Sequence, residues 1–356
     1  MSESSGDGTA GDHGPPAIAV EGLDVTYSDG TRAVRDVDMT VPEGEFFGFL
    51  GPNGAGKTTT IKVFATLLSP TAGHVEVNGF DVTAEPRKVR ESIGYMAQEV
   101  SVDPELSAEE NIRFAAESYG VPRSKRAERV EELLDLVDLA DDADKRAEEF
   151  SGGMKKRLDA ATALVHRPPL VFLDEPTTGL DPKARLRLWE YFRRINGQGT
   201  TIFLTTQYLE EADQLCDELA VILDGSIVAE GSPADLKREV GGEVLDVEIE
   251  TAGAFDAGDD AIERAAEIAR SFDAFENATV TESTDGISVT AETARQHGTD
   301  LLVALRDAGL TVTGFNLHAP TLDDVFLAIT GEPLDVESID AETDGAEATA
   351  GEGDAG

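Results

Sequence analysis

The segment GPNGAGKT at residues 51–58 constrains the fold of this 356-residue chain more than any other feature. It follows the apolar run EFFGFLG and fits the pattern G-x-x-x-x-G-K-[S/T]. Its glycines permit unusual backbone angles, so successive N–H groups can wrap phosphate oxygens while Lys57 reaches the β- and γ-phosphates. The Thr58 hydroxyl can coordinate Mg²⁺, and a helix that begins there directs its positive end at the phosphates. The alternative is a glycine-rich turn without a ligand, which the flanking strand and helix disfavour.

Two adjacent carboxylates follow a second apolar run. The segment LVFLDE (170–175) is typical of a buried strand, and it ends in Asp174 and Glu175. Two like charges side by side are unfavourable unless a cation relieves them. We expect Asp174 to hold Mg²⁺ through its water shell and Glu175 to polarise the attacking water of a hydrolysis reaction. A solvated loop is the less favoured alternative.

A third motif, FSGGM (150–154), precedes a helical stretch. Ser151, Gly152 and Gly153 would place a hydroxyl and bare N–H groups at the positive end of that helix, which suits a second phosphate. An S-G-G triplet alone is more often an ordinary helix cap. Its position just ahead of LVFLDEPTTGLDP (170–182) makes the combination much more specific.

The chain is strongly acidic, because 29 Lys and Arg against 71 Asp and Glu give a net charge of −42. Such a field repels nucleic-acid phosphates and argues against a DNA or RNA partner. We interpret the acidity as adaptation of a folded surface to high salt, where the Debye length is about 3 Å at 1 M. The single cysteine, Cys216, excludes an internal disulfide, and the five histidines show no metal-ligand spacing.

The sequence contains no candidate membrane span. The N-terminus lacks the basic-then-apolar order of a signal peptide, and no apolar run approaches the roughly 18 residues that cross a bilayer. We therefore expect a soluble, cytoplasmic protein. If it works at a membrane, a separate chain must supply the membrane part.

The pattern of strands and helices predicts a large α/β domain at residues 17–238. Its sheet is expected to be mixed, with an antiparallel β subdomain at the start that turns at Asp29 and Gly30. Four short apolar runs that end in small or polar residues are typical of buried parallel strands whose carboxyl ends form a ligand site. A helical lobe is expected at about residues 100–166.

A second, smaller unit is predicted at residues 243–331. Its segments follow the order strand, helix, strand, strand, helix, strand, which is an α+β, ferredoxin-like pattern, and a capped helix closes it. We expect this unit to support dimerisation or docking, with ligand sensing as the less favoured alternative. Residues 1–16 and 332–356 have the composition of acidic, disordered tails.

Taken together, the motifs resemble those of the nucleotide-binding subunits of ABC transporters. Five segments occur in the order of that family: GPNGAGKTT, GYMAQ, FSGGM, LVFLDEPTTGLD and LTTQ. More narrowly, SGGMKKRLD, TTQYLEEAD and the closing TLDDVFLAITG are similar to the daunorubicin/doxorubicin-resistance type of exporter. The resemblance covers about residues 17–331 and implies a P-loop NTPase fold, ATP and Mg²⁺ as ligands, and ATPase activity.

The resemblance implies a role for each matching residue. Tyr27 would stack on the adenine ring, with simple packing as an equal alternative from the residues alone. Gln98 would bridge Mg²⁺ and the attacking water, and Gln207 would be the switch that touches the γ-phosphate. The implied Mg²⁺ ligands are Thr58, Gln98 and Asp174. Further ATP contacts are implied at Gly51, Pro52, Asn53, Gly54, Ala55, Gly56, Lys57, Thr58, Thr59 and Gly152.

A dimer is also implied. Ser151 and Gly153 would contact ATP held by the opposite subunit, and Asp181 would tie the two sites together. One phosphate loop and one S-G-G motif per chain, facing different directions, then give complete sites only in a head-to-tail homodimer. That pair would drive a separate ABC-2-type permease that exports drugs or other hydrophobic compounds. The protein would then lie on the cytoplasmic face of the cell membrane.

Three positions depart from the family pattern. Phe150 and Met154 replace the commoner leucine and glutamine around S-G-G, and Gln207 replaces the commoner histidine. A glutamine amide can donate and accept hydrogen bonds but cannot carry a proton near neutral pH. Glu175 would therefore activate water without an imidazole partner.

Other protein classes remain as alternatives. A soluble ABC-type ATPase of DNA repair typically has a long coiled-coil insertion or basic surfaces, and a translation-factor ATPase usually carries two cassettes; neither feature occurs here. A GTPase or kinase would have no use for the S-G-G motif. A non-enzymatic regulatory module would not need both Asp174 and Glu175.

Overall fold

The structure is a computed structural model that describes residues 15–250, 257–275 and 278–330. The strands within these ranges are β1 (Ile18–Thr26), β2 (Arg32–Val41), β3 (Phe46–Leu50), β4 (Ala72–Val77), β5 (Phe80–Asp81), β6 (Ile93–Met96), β7 (Leu170–Asp174), β8 (Thr201–Thr206), β9 (Glu218–Leu223), β10 (Ser226–Gly231), β11 (Glu243–Ile249), β12 (Thr279–Glu282), β13 (Gly286–Ala291) and β14 (Val312–His318). The helices are α1 (Lys57–Phe64), α2 (Pro86–Ser92), α3 (Ala108–Ser118), α4 (Arg123–Leu136), α5 (Gly152–Ala163), α6 (Pro182–Asn196), α7 (Leu209–Leu215), α8 (Pro233–Val240), α9 (Ala257–Arg270), α10 (Ala294–Asp307) and α11 (Leu322–Thr330).

The central sheet has six strands in the order β10-β9-β3-β8-β7-β6. The strand β3 pairs in parallel with both β8 and β9, and β7 pairs in parallel with both β8 and β6. The edge strand β10 is antiparallel to β9. The four apolar runs predicted as buried parallel strands therefore lie in one sheet, and their carboxyl ends meet at the same edge.

A second sheet, in the order β2-β1-β4-β5, is antiparallel. The turn between β1 and β2 is closed by hydrogen bonds from Tyr27 N–H to Thr31 O and from Gly30 N–H to Tyr27 O, at 2.9 and 3.0 Å. Gly30 has a φ of 91°, which favours glycine there. The predicted antiparallel hairpin at the start of the domain is confirmed.

The central sheet separates two hydrophobic cores, because alternate side chains of a strand point to opposite faces. Phe47 and Phe49 lie in the core between the two sheets, whereas Phe46 and Leu50 lie in the core on the helical side. Phe203 is at the centre of the first core, with ring centroids 5.4 to 5.8 Å from four other phenylalanines. Helices α3, α4 and α5 pack into the second core and form the predicted helical lobe.

The C-terminal sheet is antiparallel in the order β12-β13-β11-β14. Helices α9 and α10 pack on its apolar face, so the strand and helix order has the ferredoxin-like arrangement that the sequence predicted. Gly241 and Gly242, with φ of 72° and 71°, separate it from α8, which continues to Val240 and so past residue 238.

The last helix, α11, follows the C-terminal sheet but packs elsewhere. Its buried residues Leu322, Val325 and Phe326 join the core on the helical side of the central sheet, where α11 contacts α7 and α8. By packing, α11 therefore belongs to the large domain. Within the described part of the chain, no helix has both the length and the apolar character that a bilayer span requires.

Candidate functional site

The phosphate loop (residues 51–58) connects the end of β3 to the start of α1. Gly54 and Gly56 have φ of 82° and 112°, a region that L side chains rarely adopt. A Cβ atom on Gly51 would lie 2.3 Å from the carbonyl oxygen of Ile222, and one on Gly56 would lie 2.5 Å from that of Ala33. The loop therefore needs glycine for its backbone angles and for its close approach to neighbouring chain.

Lys57 is buried at the centre of this loop. Its Nζ donates to the carbonyl oxygens of Gly51 and Pro52 at 2.7 and 3.1 Å, and it lies 3.1 Å from Glu175 Oε1. Burial lowers the pKa of Lys57, and the Glu175 carboxylate offsets only part of that effect. The loop therefore holds one ammonium group directed inward, beside a carboxylate.

Asp174 ends strand β7 and is 1% exposed. Its Oδ1 accepts hydrogen bonds from Thr205 Oγ1 at 2.6 Å and from Thr58 Oγ1 at 3.2 Å. Burial raises the pKa of Asp174, although the two hydroxyl groups act in the opposite direction. The structure thus brings together the oxygen atoms of Thr58 and Asp174, which the sequence predicts to bind one ion.

Glu175 lies between the phosphate loop and the segment that follows β6. Its Oε2 accepts a hydrogen bond from Gln98 Nε2 at 3.2 Å, while its Oε1 faces Lys57. The residue has a φ of 47°, and its N–H donates to Thr205 O at 3.0 Å, which holds the backbone in this position. A left-handed conformation at a residue other than glycine costs roughly 1–3 kcal/mol, a strain that is common at functional sites.

Gln207 follows β8 directly and is 6% exposed. The preceding carbonyl, Thr206 O, accepts a hydrogen bond from Gly51 N–H at 3.3 Å. This bond places Gln207 beside the start of the phosphate loop. Its Oε1 is buried and has no hydrogen-bond partner among the residues that the structure describes.

Tyr27 lies on the outer side of the same site. Its hydroxyl is 2.9 Å from Thr59 Oγ1, on the first turn of α1, and the side chain is 39% exposed. The ring is therefore anchored next to the phosphate loop while part of its surface remains open to solvent. An exposed aromatic face at this place can stack on a planar base.

Ser151 and Asp181 each cap a helix. Ser151 Oγ accepts from Met154 N–H at 3.3 Å at the start of α5, and Asp181 Oδ1 accepts from Ala184 N–H at 2.9 Å at the start of α6. Together with Gly153 they line a groove of about 220 Å³, which we call the signature groove; its other lining residues are Met154, Arg157, Lys183, Ala184 and Arg187. No residue of the phosphate loop lines it.

The two substituted positions of this motif differ in exposure. Phe150 is buried in the core on the helical side, and Met154 packs partly against the same core. The contacts that Met154 makes through its backbone do not depend on its side chain. The substitutions therefore leave the cap of α5 intact.

Sequence reasoning missed a connection between α5 and the segment that carries Gln98. Lys156 is buried, and its Nζ donates to the backbone carbonyl of Gln98. Burial lowers the pKa of Lys156, while Asp159, Asp174 and Glu175 act to raise it. The role of Thr205 at Asp174 was also missed, although the run LTTQ places two hydroxyl groups at this strand end.

A phosphate loop, a buried Asp–Glu pair at the same edge of the central sheet and a second helix-capping motif define a P-loop nucleoside triphosphatase. The family described as ABC transporter matches residues 34–178, and that described as ATP-binding protein DrrA1-3-like, C-terminal domain, matches residues 231–330. The chain is 42% identical over 326 residues to the daunorubicin/doxorubicin resistance ATP-binding protein DrrA of Streptomyces peucetius, which covers 91% of this chain and 95% of the relative.

Solved structures agree with this similarity. The protein cbiO1 from Clostridium perfringens, part of the ABC transporter complex cbiONQ, superposes with a TM-score of 0.59 at 29% identity, covering 64% of this chain and 95% of its own. An ATP-binding cassette solved as a dimer in a post-hydrolysis state with ADP and Pi superposes with a TM-score of 0.56 at 26% identity, covering 60% and 98%.

The chain belongs to the ABC transporter family, as an ATP-binding protein with the DrrA-like C-terminal domain. It is a nucleotide-binding subunit with ATPase activity. The predicted α/β fold, with its mixed sheet, antiparallel subdomain and helical lobe, is confirmed.

Proposed function

We propose that two copies of this chain hydrolyse ATP to drive a separate ABC-2-type permease that exports drugs or similar hydrophobic compounds. The observation that carries the proposal is the buried position of Glu175 between Lys57 and Gln98, at the phosphate loop. The resemblance to a daunorubicin/doxorubicin resistance protein over nearly the whole chain supports the substrate class. The chain would then work on the cytoplasmic face of the membrane.

ATP binding is proposed to change the partner of Lys57. Lys57 Nζ is 3.1 Å from Glu175 Oε1 at the phosphate loop. The β- and γ-phosphates would take over the ammonium group, because they carry more negative charge than one carboxylate. Nucleotide binding therefore frees the Glu175 carboxylate from its ion pair. The exposed ring of Tyr27 would support the adenine at the outer edge.

Mg²⁺ is the proposed cofactor, and the donor set fits it. Thr58 and Asp174 offer a hydroxyl and a carboxylate 3.2 Å apart, and Gln98 adds an amide group nearby through its bond to Glu175. Among the described residues no group of three or more His, Cys, Asp or Glu side chains could hold a metal ion. Mg²⁺ does not require one, since it usually takes one or two protein ligands together with phosphate oxygens and water. When bound, it would neutralise charge on the phosphates.

Hydrolysis is proposed to depend on Glu175 as the group that accepts a proton from the attacking water. Gln98 donates to Glu175 Oε2 and so orients the carboxylate. Gln207, buried next to the loop, would donate its amide hydrogen to a γ-phosphate oxygen and accept through Oε1. Neither glutamine changes charge, so Glu175 carries the proton transfer alone.

The second half of the site is proposed to come from another copy. Ser151, Gly153 and Asp181 line the signature groove, which contains no phosphate-loop residue, so both halves meet only if two chains face each other head to tail. The dimer in the related cassette solved with ADP and Pi supports this arrangement. Arg157, Lys183 and Arg187 make the groove basic, which favours the triphosphate of the partner copy.

The proposal is tested by reconstituting the chain with its permease in lipid vesicles and measuring phosphate release and uptake of doxorubicin. We expect ATP hydrolysis that requires Mg²⁺, rises with drug and falls by about 10²–10⁴ in Glu175→Gln. If ATPase activity never depends on a copurifying permease, the chain is an ATPase but has no role in transport. Absence of phosphate release from the wild-type complex would exclude both.

A further inference from the structure

Helix α6 is joined to the start of α7 at two points. The guanidinium of Arg185 lies 4.5 Å from the centroid of the Tyr208 ring, and Trp189 Nε1 donates to Glu211 Oε1 at 2.8 Å. Arg185 and Trp189 are four residues apart, so they lie on one face of α6. The link therefore fixes both the position and the rotation of α6 relative to the segment that follows β8.

The two ends of this link lie at the two halves of the proposed site. Asp181 caps α6, and Arg185 N–H donates to Asp181 O at 3.0 Å, so Arg185 is one helical turn from the signature groove. Tyr208 directly follows Gln207, which lies beside the phosphate loop. A rigid helix with two contacts can carry a displacement from Asp181 to Gln207.

The hydrogen bond between Trp189 and Glu211 involves a buried carboxyl group. Glu211 is fully buried, and burial raises its pKa, although Thr206, Trp189 and Thr177 oppose the rise. A buried carboxyl group destabilises the fold unless it keeps its partners. Loss of the Trp189 bond would leave that carboxyl group with fewer donors, so α6 and α7 stay together.

Polar atoms without good hydrogen bonds are concentrated at the same place. Within the described ranges, four of the nine buried side-chain atoms that lack a partner of good geometry are Thr177 Oγ1, Arg185 Nε, Gln207 Oε1 and Glu211 Oε2. Arg185 lies on α6, Glu211 lies on α7 and Gln207 directly follows β8, whereas Thr177 lies in the loop before α6. Such atoms are free to form new hydrogen bonds if the segments shift, whereas a fully satisfied network would resist the shift.

We propose that Arg185, Tyr208, Trp189 and Glu211 are positioning residues that couple the Asp181 end of α6 to Gln207. The inference rests on the proposed function, in which Asp181 faces the partner copy and Gln207 faces the γ-phosphate. Approach of the partner at Asp181 shifts α6, and the two contacts move Gln207 into place. None of the four residues touches the nucleotide, so they affect turnover and leave nucleotide affinity unchanged.

The test is a double-mutant cycle on the full chain, with Asp181→Ala and Tyr208→Ala made singly and together. We expect each single change to lower kcat for ATP about tenfold, and the double variant to be no slower than the slower single one, because coupled residues are not additive. The KM for ATP is expected to change less than about twofold. Tyr208→Phe, which keeps the ring beneath Arg185, is expected to retain wild-type kcat.

Two controls separate coupling from general damage. Tyr119→Ala removes a ring stacked on His166 in the helical lobe, with centroids 4.1 Å apart, and its effect is expected to multiply with that of Asp181→Ala. Glu211→Gln, which keeps an oxygen for Trp189 Nε1, is expected to retain more kcat than Glu211→Leu at equal melting temperature.

Two outcomes overturn the inference. If the wild type is active and the Asp181 and Tyr208 effects multiply to about a hundredfold, the two sites are independent and only the coupling fails. If the wild-type complex releases no phosphate from ATP, the proposed function fails and the coupling fails with it.

Discussion

The phosphate loop and the signature groove serve the same proposed substrate, yet they are built in opposite ways. Around the loop, Lys57, Asp174 and Glu175 are 4%, 1% and 6% exposed and are bonded to one another or to neighbouring hydroxyl and carbonyl groups. In the groove, Ser151 and Asp181 are exposed, and within the described ranges each side chain is bonded only to the backbone of its own helix. One half is completed within the chain, and the other presents its groups outward.

This difference has an energetic reason. Buried charges are stable only when the folded chain supplies their partners, so the loop site depends on contacts between β3, β7 and β8. The groove needs only two helix caps, each worth about 1 kcal/mol, and the positive ends of two helices. Substitutions in the loop site should therefore strongly slow the chemical step of ATP hydrolysis. Substitutions in the groove should instead weaken the contribution that one copy makes to the ATP site of its partner.

The largest effect is expected for Glu175→Gln. An amide keeps the size of the side chain but cannot accept a proton, so kcat should fall by about 10²–10⁴ while ATP binding is retained. Phosphate release and equilibrium binding of a fluorescent ATP analogue measure the two quantities. Glu131→Gln, on the exposed face of α4, is the control and should have wild-type kcat. Residual turnover within tenfold of wild type would show that Glu175 is not the base.

Ser151→Ala is expected to have the next largest effect, a loss of about tenfold or more in kcat with unchanged ATP affinity for a single chain. The change also removes the cap of α5, at a cost of about 1 kcal/mol. Ser107→Ala is a matched control, because Ser107 caps α3 through a hydrogen bond from Glu110 N–H at 3.2 Å but lies outside the groove. An equal loss of turnover in both variants would show that Ser151 acts only as a helix cap.

Mixing the Glu175→Gln and Ser151→Ala variants tests the same comparison in a single dimer. A dimer of one Glu175→Gln chain and one Ser151→Ala chain pairs the damaged loop of the first with the damaged groove of the second. The other site in that dimer then contains an intact loop and an intact groove. We expect mixed dimers to have more activity than either homodimer. No recovery, with dimers shown by light scattering, would argue that each chain completes its own site.

The sequence predicted the order of the motifs and most of the central sheet, because phosphate loops and buried strands have local patterns. It did not predict that Glu175 adopts a φ of 47° or that Lys156 holds the carbonyl of Gln98, since both depend on distant chain segments. The final helix shows the same limit. Its amphipathic pattern predicted a helix, but only the fold shows that Phe326 packs into the large domain.

Substitutions at Gln207 are expected to change ATPase activity to an intermediate extent, which depends on the new residue. Gln207→Ala should lose most of the ATPase activity, because the amide that faces the phosphate loop is removed. Gln207→His should stay active and become sensitive to pH near neutrality. Above the ordinary imidazole pKa of about 6.5, the neutral ring keeps one donor and one acceptor, whereas below it the acceptor is lost.

The kcat of the histidine variant should therefore approach that of the wild type above about pH 7 and fall below it under about pH 6. Initial rates across this range, compared with the wild type in the same buffers, measure the difference. Undiminished turnover in Gln207→Ala would show that Gln207 is not the switch. A histidine variant with a flat profile would show that position 207 does not touch the reacting groups.

The smallest effect is expected at Tyr27, which is exposed like the groove but belongs to the loop site through its bond to Thr59. If it stacks on adenine, Tyr27→Ala should raise the KM for ATP about two- to twelvefold at unchanged kcat, since stacking is worth roughly 0.5–1.5 kcal/mol. Tyr27→Phe keeps the ring and loses only the hydroxyl, so its KM should change less than about twofold. Steady-state kinetics over a range of ATP concentrations separates the two constants. A fall in kcat without a change in KM would place Tyr27 with the residues that act through the partner copy, and the division between the two halves of the site would have to be redrawn.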